Sequence, residues 1–322
     1  MTAIAANAEL NFLDSAVPSS LHRTGAVYTR RDEDGNDAGT EGLVVDKHAV
    51  PILDARAAEV APTLAANGFE VLDDPLGSAV PDFLDHASVV DRYYAACEAL
   101  VAAVSGASRV HAFDHNVRSA SGRAAGQRLA GGQDVQAPLH FVHGDYTLTS
   151  APDRLRQLAQ APSRNDTYVH RLGPGETLVD PALAAAALAG ERRFEIINVW
   201  RNIAAEPIAT RPLALCDGRS VGPADLVVFE IHYVDRIGEN YFAKYAPRQR
   251  WFTYPALTRD EPLLIKQWDS AGTLARSDGA RGDGAADGPC TFSFHSAFKD
   301  PATPPDAPDR WSIEVRCMAI HD

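Results

Sequence analysis

A chain of 322 residues and 34.6 kDa is long enough to bury one large core or two modest ones. Its formal net charge of −13, from 30 Lys+Arg against 43 Asp+Glu, excludes nucleic acid and anionic membrane as main partners, because both demand basic surface. Four widely spaced cysteines (Cys97, Cys216, Cys290, Cys317) with no C-x-x-C pair fit reduced thiols better than a disulfide framework or a zinc site, and the first residues, without a basic region or long apolar run, do not read as a signal peptide; with no membrane-length apolar run the expectation is a cytoplasmic protein.

Residues 1–24 read as a loosely held arm anchored by Leu10 to Leu13, leaving 25–322 as one domain. Tyr28 to Asn36 reads as a strand entering a turn, since Asp34-Gly35-Asn36 favours positive φ. Ala55 to Asn67 reads as a helix stopped by Gly68, followed by a strand over Phe69 to Leu72. Asp91 to Val104 is rich in helix formers, and its Tyr94, Cys97, Val101 and Val104 make one apolar stripe. Arg109 to Arg118 alternates and then breaks into a Gly/Ser/Ala-rich loop, so it reads as a strand bordering a site. Helices are expected over Pro152 to Gln160 and Pro181 to Leu188. Beyond Phe194 the chain turns β-rich, with strands expected over 194–200, 226–231, 250–254, 263–268 and 310–320. Ala271 to Gly288 is Gly/Asp/Ala/Arg-rich and reads as a mobile surface loop, in which Arg281-Gly282-Asp283 is a coincidental adhesion-type tripeptide. Scattered early strands, helices in the first 190 residues and strands thereafter imply an α+β fold: a double-stranded β-helix (jelly-roll, cupin-like) core decorated by helices.

Two stretches carry chemistry. In an extended strand the side chains of His143 and Asp145, two residues apart, leave the backbone on one face. Thr291, Ser293 and His295 alternate with Phe292 and Phe294, which puts His295 on the polar face of a half-buried strand. Two histidines and one carboxylate on one side of a metal leave the other side open, the arrangement of non-haem Fe(II) oxygenases. His143, Asp145 and His295 are therefore the expected iron ligands, although an H-x-D tripeptide alone fits a salt-bridged or hydrogen-bonded pair more readily. His140 has the opposite strand phase and reads as a packed histidine. Such a triad needs strands 152 residues apart to be neighbours, and a jelly roll supplies that adjacency.

Arg310 and Ser312 open the last strand on one face. A guanidinium fork and a hydroxyl suit the distal carboxylate of 2-oxoglutarate, the cosubstrate of many Fe(II) oxygenases. Arg316, deeper in the strand, is the alternative anchor and needs a partner such as Glu314 if buried. Asn198 lies mid-strand, where a buried amide also needs a partner. His111, His115, Asn116, Arg118, Arg201 and Tyr254 are further candidates for substrate contact or for support of the ligands. For each of them a buried structural role is an equal reading.

Asn198-Val199-Trp200-Arg201-Asn202-Ile203 and Pro212 to Val221 resemble the signature of the AsaB-like hydroxylase/desaturase family, which includes gibberellin-type desaturases and the cephamycin CmcJ protein. Supporting stretches are Phe113 to Arg118, Arg250 to Pro255, Leu264 to Ser270 and Ala297 to Pro308, leading into Ser312 to Arg316. The resemblance runs from about residue 65 to the C-terminus. It implies an Fe(II)/2-oxoglutarate-dependent dioxygenase that uses O2 to hydroxylate, desaturate or cyclise small organic molecules in secondary metabolism, and it places the family's metal ligands on His143, Asp145 and His295. Asn202 stands where the family usually has proline, the residues around His143 differ, and the loop at 271–288 resembles an insertion. An acid at position 145 argues against a halogenase. The expected partner is a small-molecule substrate, with a homodimer or a tailoring-enzyme partner also weighed. Alternatives are an iron oxygenase that does without 2-oxoglutarate and a non-catalytic binding partner of a tailoring enzyme; nucleotide-binding and nucleophile-elbow motifs are absent.

Overall fold

The computed structural model describes residues 2–32, 37–77, 80–163, 166–234, 236–277, 279 and 289–322. Its strands, in chain order, are β1 (Ile4–Leu13), β2 (Tyr28–Arg31), β3 (Asp37–Glu41), β4 (Val45–Asp54), β5 (Phe69–Val71), β6 (Arg109–Arg118), β7 (His143–Gly144) and β8 (Phe194–Asn202). They continue as β9 (Leu213–Cys216), β10 (Leu226–His232), β11 (Ile237–Ala243), β12 (Trp251–Thr253), β13 (Leu263–Asp269), β14 (His295–Ala297) and β15 (Ser312–Ile320). One sheet has the order β1-β4-β12-β9-β14-β7-β11-β10-β2-β3, the other β5-β13-β8-β15-β6. The two sheets form the jelly-roll core expected from the sequence.

The smaller sheet is covered on its outer face. Along β15, Ile313, Val315, Cys317 and Ala319 pack against Tyr94, Cys97 and Val101 of the helix Tyr94–Ser105. The alternate residues Ser312, Glu314 and Arg316 therefore turn to the inner face, towards the larger sheet, as the two-residue period of a strand requires. The same parity sends Ile196 of β8 inward and Ile197 and Val199 outward, so Asn198 faces in.

Several expectations are corrected. Residues 4–13 are no loose arm: Ala6, Ala8, Leu10 and Phe12 alternate into the core while β1 pairs antiparallel with β4. The signal was faint because alanine offers so little apolar area. The helix expected over 55–67 shrinks to a 3-10 turn, Ala55–Ala57; Pro62 lacks an amide donor and pushes the residue before it out of the helical region. The strands expected around His143 and His295 pair only over two and three residues. Helices do form at Ser150–Leu158 and Pro181–Leu188, the second capped by the Asp180 carboxylate on the amides of Ala182 and Leu183. The turn residues Asp34-Gly35-Asn36 lie outside the described residues, and the strands on either side pair with each other. Of the Gly-rich stretch 271–288, residue 278 and residues 280–288, with Arg281-Gly282-Asp283, also lie outside them. Its first part is structured, with Leu274 buried and its amide donating to Thr291 Oγ1. All four cysteines are buried and unpaired, and burial pushes the Cys97 and Cys290 thiols up to about 12.

Candidate metal centre

In the larger sheet His143 of β7 and His295 of β14 face each other as a directly opposed antiparallel pair, their ring centroids 4.3 Å apart. Asp145 follows β7 at once. Its Oδ1 lies 3.5 Å from His143 Nε2, and one ligand atom from each of the three residues falls within 4.8 Å of the others. Among the described residues this is the one group of three or more metal-type ligands. Both histidines are only 5% exposed.

The backbone fixes which ring nitrogen is available. His143 Nδ1 donates to the Phe141 carbonyl at 2.8 Å, and His295 Nδ1 approaches the Ser293 carbonyl at 3.4 Å. Each Nε2 is thus left with its lone pair facing the cluster. Burial, reinforced by the neighbouring His295, lowers the His143 pKa to about 4, and burial likewise lowers that of His295. Burial alone would raise the Asp145 carboxyl. Arg316, the two histidines and a hydrogen bond from Asn198 outweigh it and hold the group well below the usual carboxylate range. Two neutral imidazoles and one carboxylate are the protonation states a divalent ion requires, and the donor set suits non-haem iron.

The surrounding polar groups hold Asp145. Asn198 Nδ2 donates to its Oδ2 at 3.0 Å, Arg316 Nε and Nη2 to the same atom at 3.3 Å, and Gln267 Oε1 accepts from its backbone amide at 3.1 Å. Oδ2 is spent on these donors, so Oδ1 is the oxygen left for an ion. Gln267 was missed in the sequence. It occupies a β-bulge between Lys266 and Trp268, which turns its side chain to the inner face. Two consecutive polar residues in the otherwise apolar run Leu263 to Trp268 were the available sign. Replacing Asn198 with leucine should lower Mn(II) affinity about 10- to 100-fold, as loss of a ligand-orienting bond does, with the fold intact by circular dichroism; calorimetric titration is the measurement.

The other candidates divide by strand face. On β6, Asp114, Asn116 and Arg118 point inward. Asp114 pairs with Arg316 at 3.0 Å, and the Asn116 amide oxygen, turned to face the guanidinium, accepts from Arg316 Nη1 at 2.7 Å. Arg316 also pairs with Glu314 at 3.2 Å, so it is committed to three carboxylates. His115 points outward, with Nδ1 and the Tyr94 hydroxyl 2.8 Å apart. His111 sits near Glu98 and Arg171. Arg201 turns its guanidinium to Tyr93 Oη and to Asp74, and Tyr254 packs against Phe69. The structure does not bring these four to the metal cluster.

Arg310 differs from Arg316. It is 2% exposed and has no carboxylate within ion-pair reach among the described residues; its guanidinium lies 5.5 Å above the Trp200 ring and gives one bond to the Arg211 carbonyl. Arg310 Nε and Ser312 Oγ are both buried without a partner. Burial, with Arg118 nearby, lowers the Arg310 pKa to about 9. A small cavity is lined by Arg310, Arg118, Glu314, Trp200 and both cluster histidines. The residues present fit an anion reaching from the metal cluster to Arg310.

A jelly roll carrying two histidines and a carboxylate on adjacent strands, with an unpaired arginine across a cavity, is the construction of the iron- and 2-oxoglutarate-dependent oxygenases. A family model described as an oxidoreductase/YMDC permease-like domain matches residues 10–173 and 175–320, and the chain belongs to that family. Despite the description, no helix among the described residues is long and apolar enough to cross a membrane. The Fe(II)/2-oxoglutarate-dependent dioxygenase nvfI of Aspergillus novofumigatus is 29% identical over 278 residues, covering 85% of this chain and 83% of that one. The hydroxylase/desaturase efuI of Hormonema carpetanum is 27% identical over 332 residues, 96% and 98% of the two chains. An uncharacterised protein of Methylophilus leisingeri, encoded in the dcmA 3' region, is 43% identical over 195 residues, 61% of this chain and 89% of its own. A solved structure of the iron and alpha-ketoglutarate-dependent endoperoxidase NvfI, in a different conformation, superposes with TM-score 0.72 at 25% identity over 97% of this chain and 96% of that one. The family resemblance read from the sequence is thereby borne out.

Proposed function

We propose that His143, Asp145 and His295 hold Fe(II), and that Arg310 with Ser312 holds the far carboxylate of 2-oxoglutarate. The chain is an Fe(II)/2-oxoglutarate-dependent oxygenase that acts on a small organic molecule, as its hydroxylase, desaturase and dioxygenase relatives are named. The observation that carries the cosubstrate assignment is the buried, partnerless Nε of Arg310, which lines the same cavity as the two histidines, with the equally partnerless Ser312 Oγ two residues on along the strand. An unpaired buried guanidinium is costly, and a carboxylate ligand removes the cost.

With O2 and 2-oxoglutarate, the iron supplies the oxidising power for hydroxylation or desaturation at an unactivated C–H bond. The protein's share is placement. The Phe141 and Ser293 carbonyls keep the imidazoles turned with Nε2 inward, and Arg316 and Asn198 keep Asp145 from rotating. Trp200 shields the Arg310 guanidinium from water, which strengthens its hold on a carboxylate in a low-dielectric site. Arg316, already shared among Asp114, Asp145 and Glu314, orients a ligand rather than anchoring the cosubstrate. Four buried free thiols support a reducing, cytoplasmic setting.

Anaerobic titration with Fe(II) and 2-oxoglutarate tests this. A weak visible charge-transfer band that saturates with both is the expected result. Bound iron without that band would sink the cosubstrate assignment.

A further inference from the structure

A second cavity, of about 340 Å3, opens on the Asp145 side of the cluster. At the metal cluster its inner end is Asp145, Arg316, Asp114 and Asn116, and residues of the helix Ser150–Leu158, of β10 and β11, and Tyr233 and Arg236 between those strands line the rest. Its size suits a small metabolite. The acids that line it are already engaged. Asp114 accepts from Arg316 and from the His115 amide. Glu239 accepts from Thr147 Oγ1 at 2.7 Å and pairs with Arg23 at 2.7 Å, and Asp153 pairs with Arg156.

The two arginines that line it are engaged less tightly. Arg154 lies 4.8 Å above the Phe113 ring, bonds Gln157 through one Nη, and approaches Asp166 at 3.7 Å, beyond hydrogen-bond length. Its Nε and second Nη have no hydrogen-bond partner among the described residues. Arg236 lies 4.4 Å above the Tyr233 ring and has no carboxylate within ion-pair reach among the described residues. Two guanidinium groups lining one cavity, laid on aromatic faces with donors to spare, suit an anion. Ile231 and Ile237 add apolar lining.

We propose that this cavity takes an organic acid as substrate, its carboxylate or phosphate gripped by Arg154 and Arg236 and its apolar body directed at the metal cluster. The inference rests on the oxygenase reading above for what happens at the inner end, but the binding it asserts can be read on its own.

The test is calorimetric titration of the Fe(II)-loaded protein, saturated with 2-oxoglutarate under anaerobic conditions, with four matched probes: 4-phenylbutyrate, 4-phenylbutyl phosphate, 4-phenylbutanol and 4-phenylbutylamine. At least one anion should bind about tenfold tighter than the alcohol and the amine, and the stronger of the two identifies the anionic group. The Arg154→Gln/Arg236→Gln double variant should lose that preference while its affinity for 2-oxoglutarate stays within about twofold. Equal or tighter binding of the alcohol or amine, no binding of either anion, or a preference that survives in the double variant would overturn the proposal. A normal 2-oxoglutarate band without acid binding counts against this inference alone; acid binding without the band counts against the cosubstrate assignment alone.

Discussion

Replacing His143, Asp145 or His295 singly by alanine should cost more than about 100-fold in Mn(II) or Fe(II) affinity and abolish 2-oxoglutarate turnover, measured by calorimetry and by succinate formation. The size follows from the geometry. Each residue supplies one of three donor atoms lying within 4.8 Å of one another, so its loss removes a third of the protein's ligands and not merely an orienting contact. The three variants should also differ from each other in stability. Asp145→Ala leaves Arg316 with two carboxylates instead of three and frees the Asn198 amide, so a structural penalty accompanies the metal loss. His143→Ala and His295→Ala leave cavities where nearly fully buried rings stood and, for His143, an unpaired Phe141 carbonyl, so their metal-free forms should melt below the parent through lost packing rather than lost charge pairing. Undiminished metal affinity in any one of them would remove that residue from the centre.

Arg310→Met should lower 2-oxoglutarate affinity about 10- to 100-fold, the loss of a charge-assisted carboxylate contact, and leave Mn(II) affinity unchanged. It should also raise the melting temperature of the ligand-free protein. Arg310 is buried with no carboxylate within ion-pair reach among the described residues, burial pulls its pKa down to about 9 against the more distant Asp309 and Glu314, and the folded state therefore bears the cost of keeping the group charged at neutral pH. An apolar side chain of similar length against Trp200 relieves that cost. Opposite movements of ligand affinity and stability mark a residue kept for binding. Were affinity untouched and stability lower, Arg310 would be a structural residue and Arg316 would return as the anchor.

Much of this was legible in the sequence. The β-branched and aromatic runs 194–200, 226–231 and 263–268 folded as strands because their composition fits a buried pleated surface. The triad was readable from the two-residue spacing of His143 and Asp145 and the alternation before His295. Strand parity also separates residues that the family resemblance grouped together. Asn198 faces inward while Arg201, three positions on, faces out, and Asn116 and Arg118 face inward while His115 between Asp114 and Asn116 does not. A resemblance marks positions without giving the direction of a side chain. The links among Arg316, Asp145 and Asn198 join three distant segments and could be seen only once the sheets were packed. Gln267 depended on a bulge, which local sequence hardly announces.

The pairing of β7 with β14 has a consequence for how the two halves of the larger sheet are fastened. Strands β1, β4, β12 and β9 lie on one side of β14, and β11, β10, β2 and β3 on the other side of β7, and the ladder between β14 and β7 is one residue pair, His143 with His295. Among the described residues the bridge of Leu13 with Lys244 and the bonds from the Val142 amide to Asn11 and from the Ala297 amide to Leu139 are further ties, so the seam is short rather than solitary. An ion held by both residues of the pair, and by Asp145 beside them, would act as a rivet through this short seam. Metal binding would then add to the stability of the folded chain, because whatever binds the folded seam and not the open chain stabilises the whole.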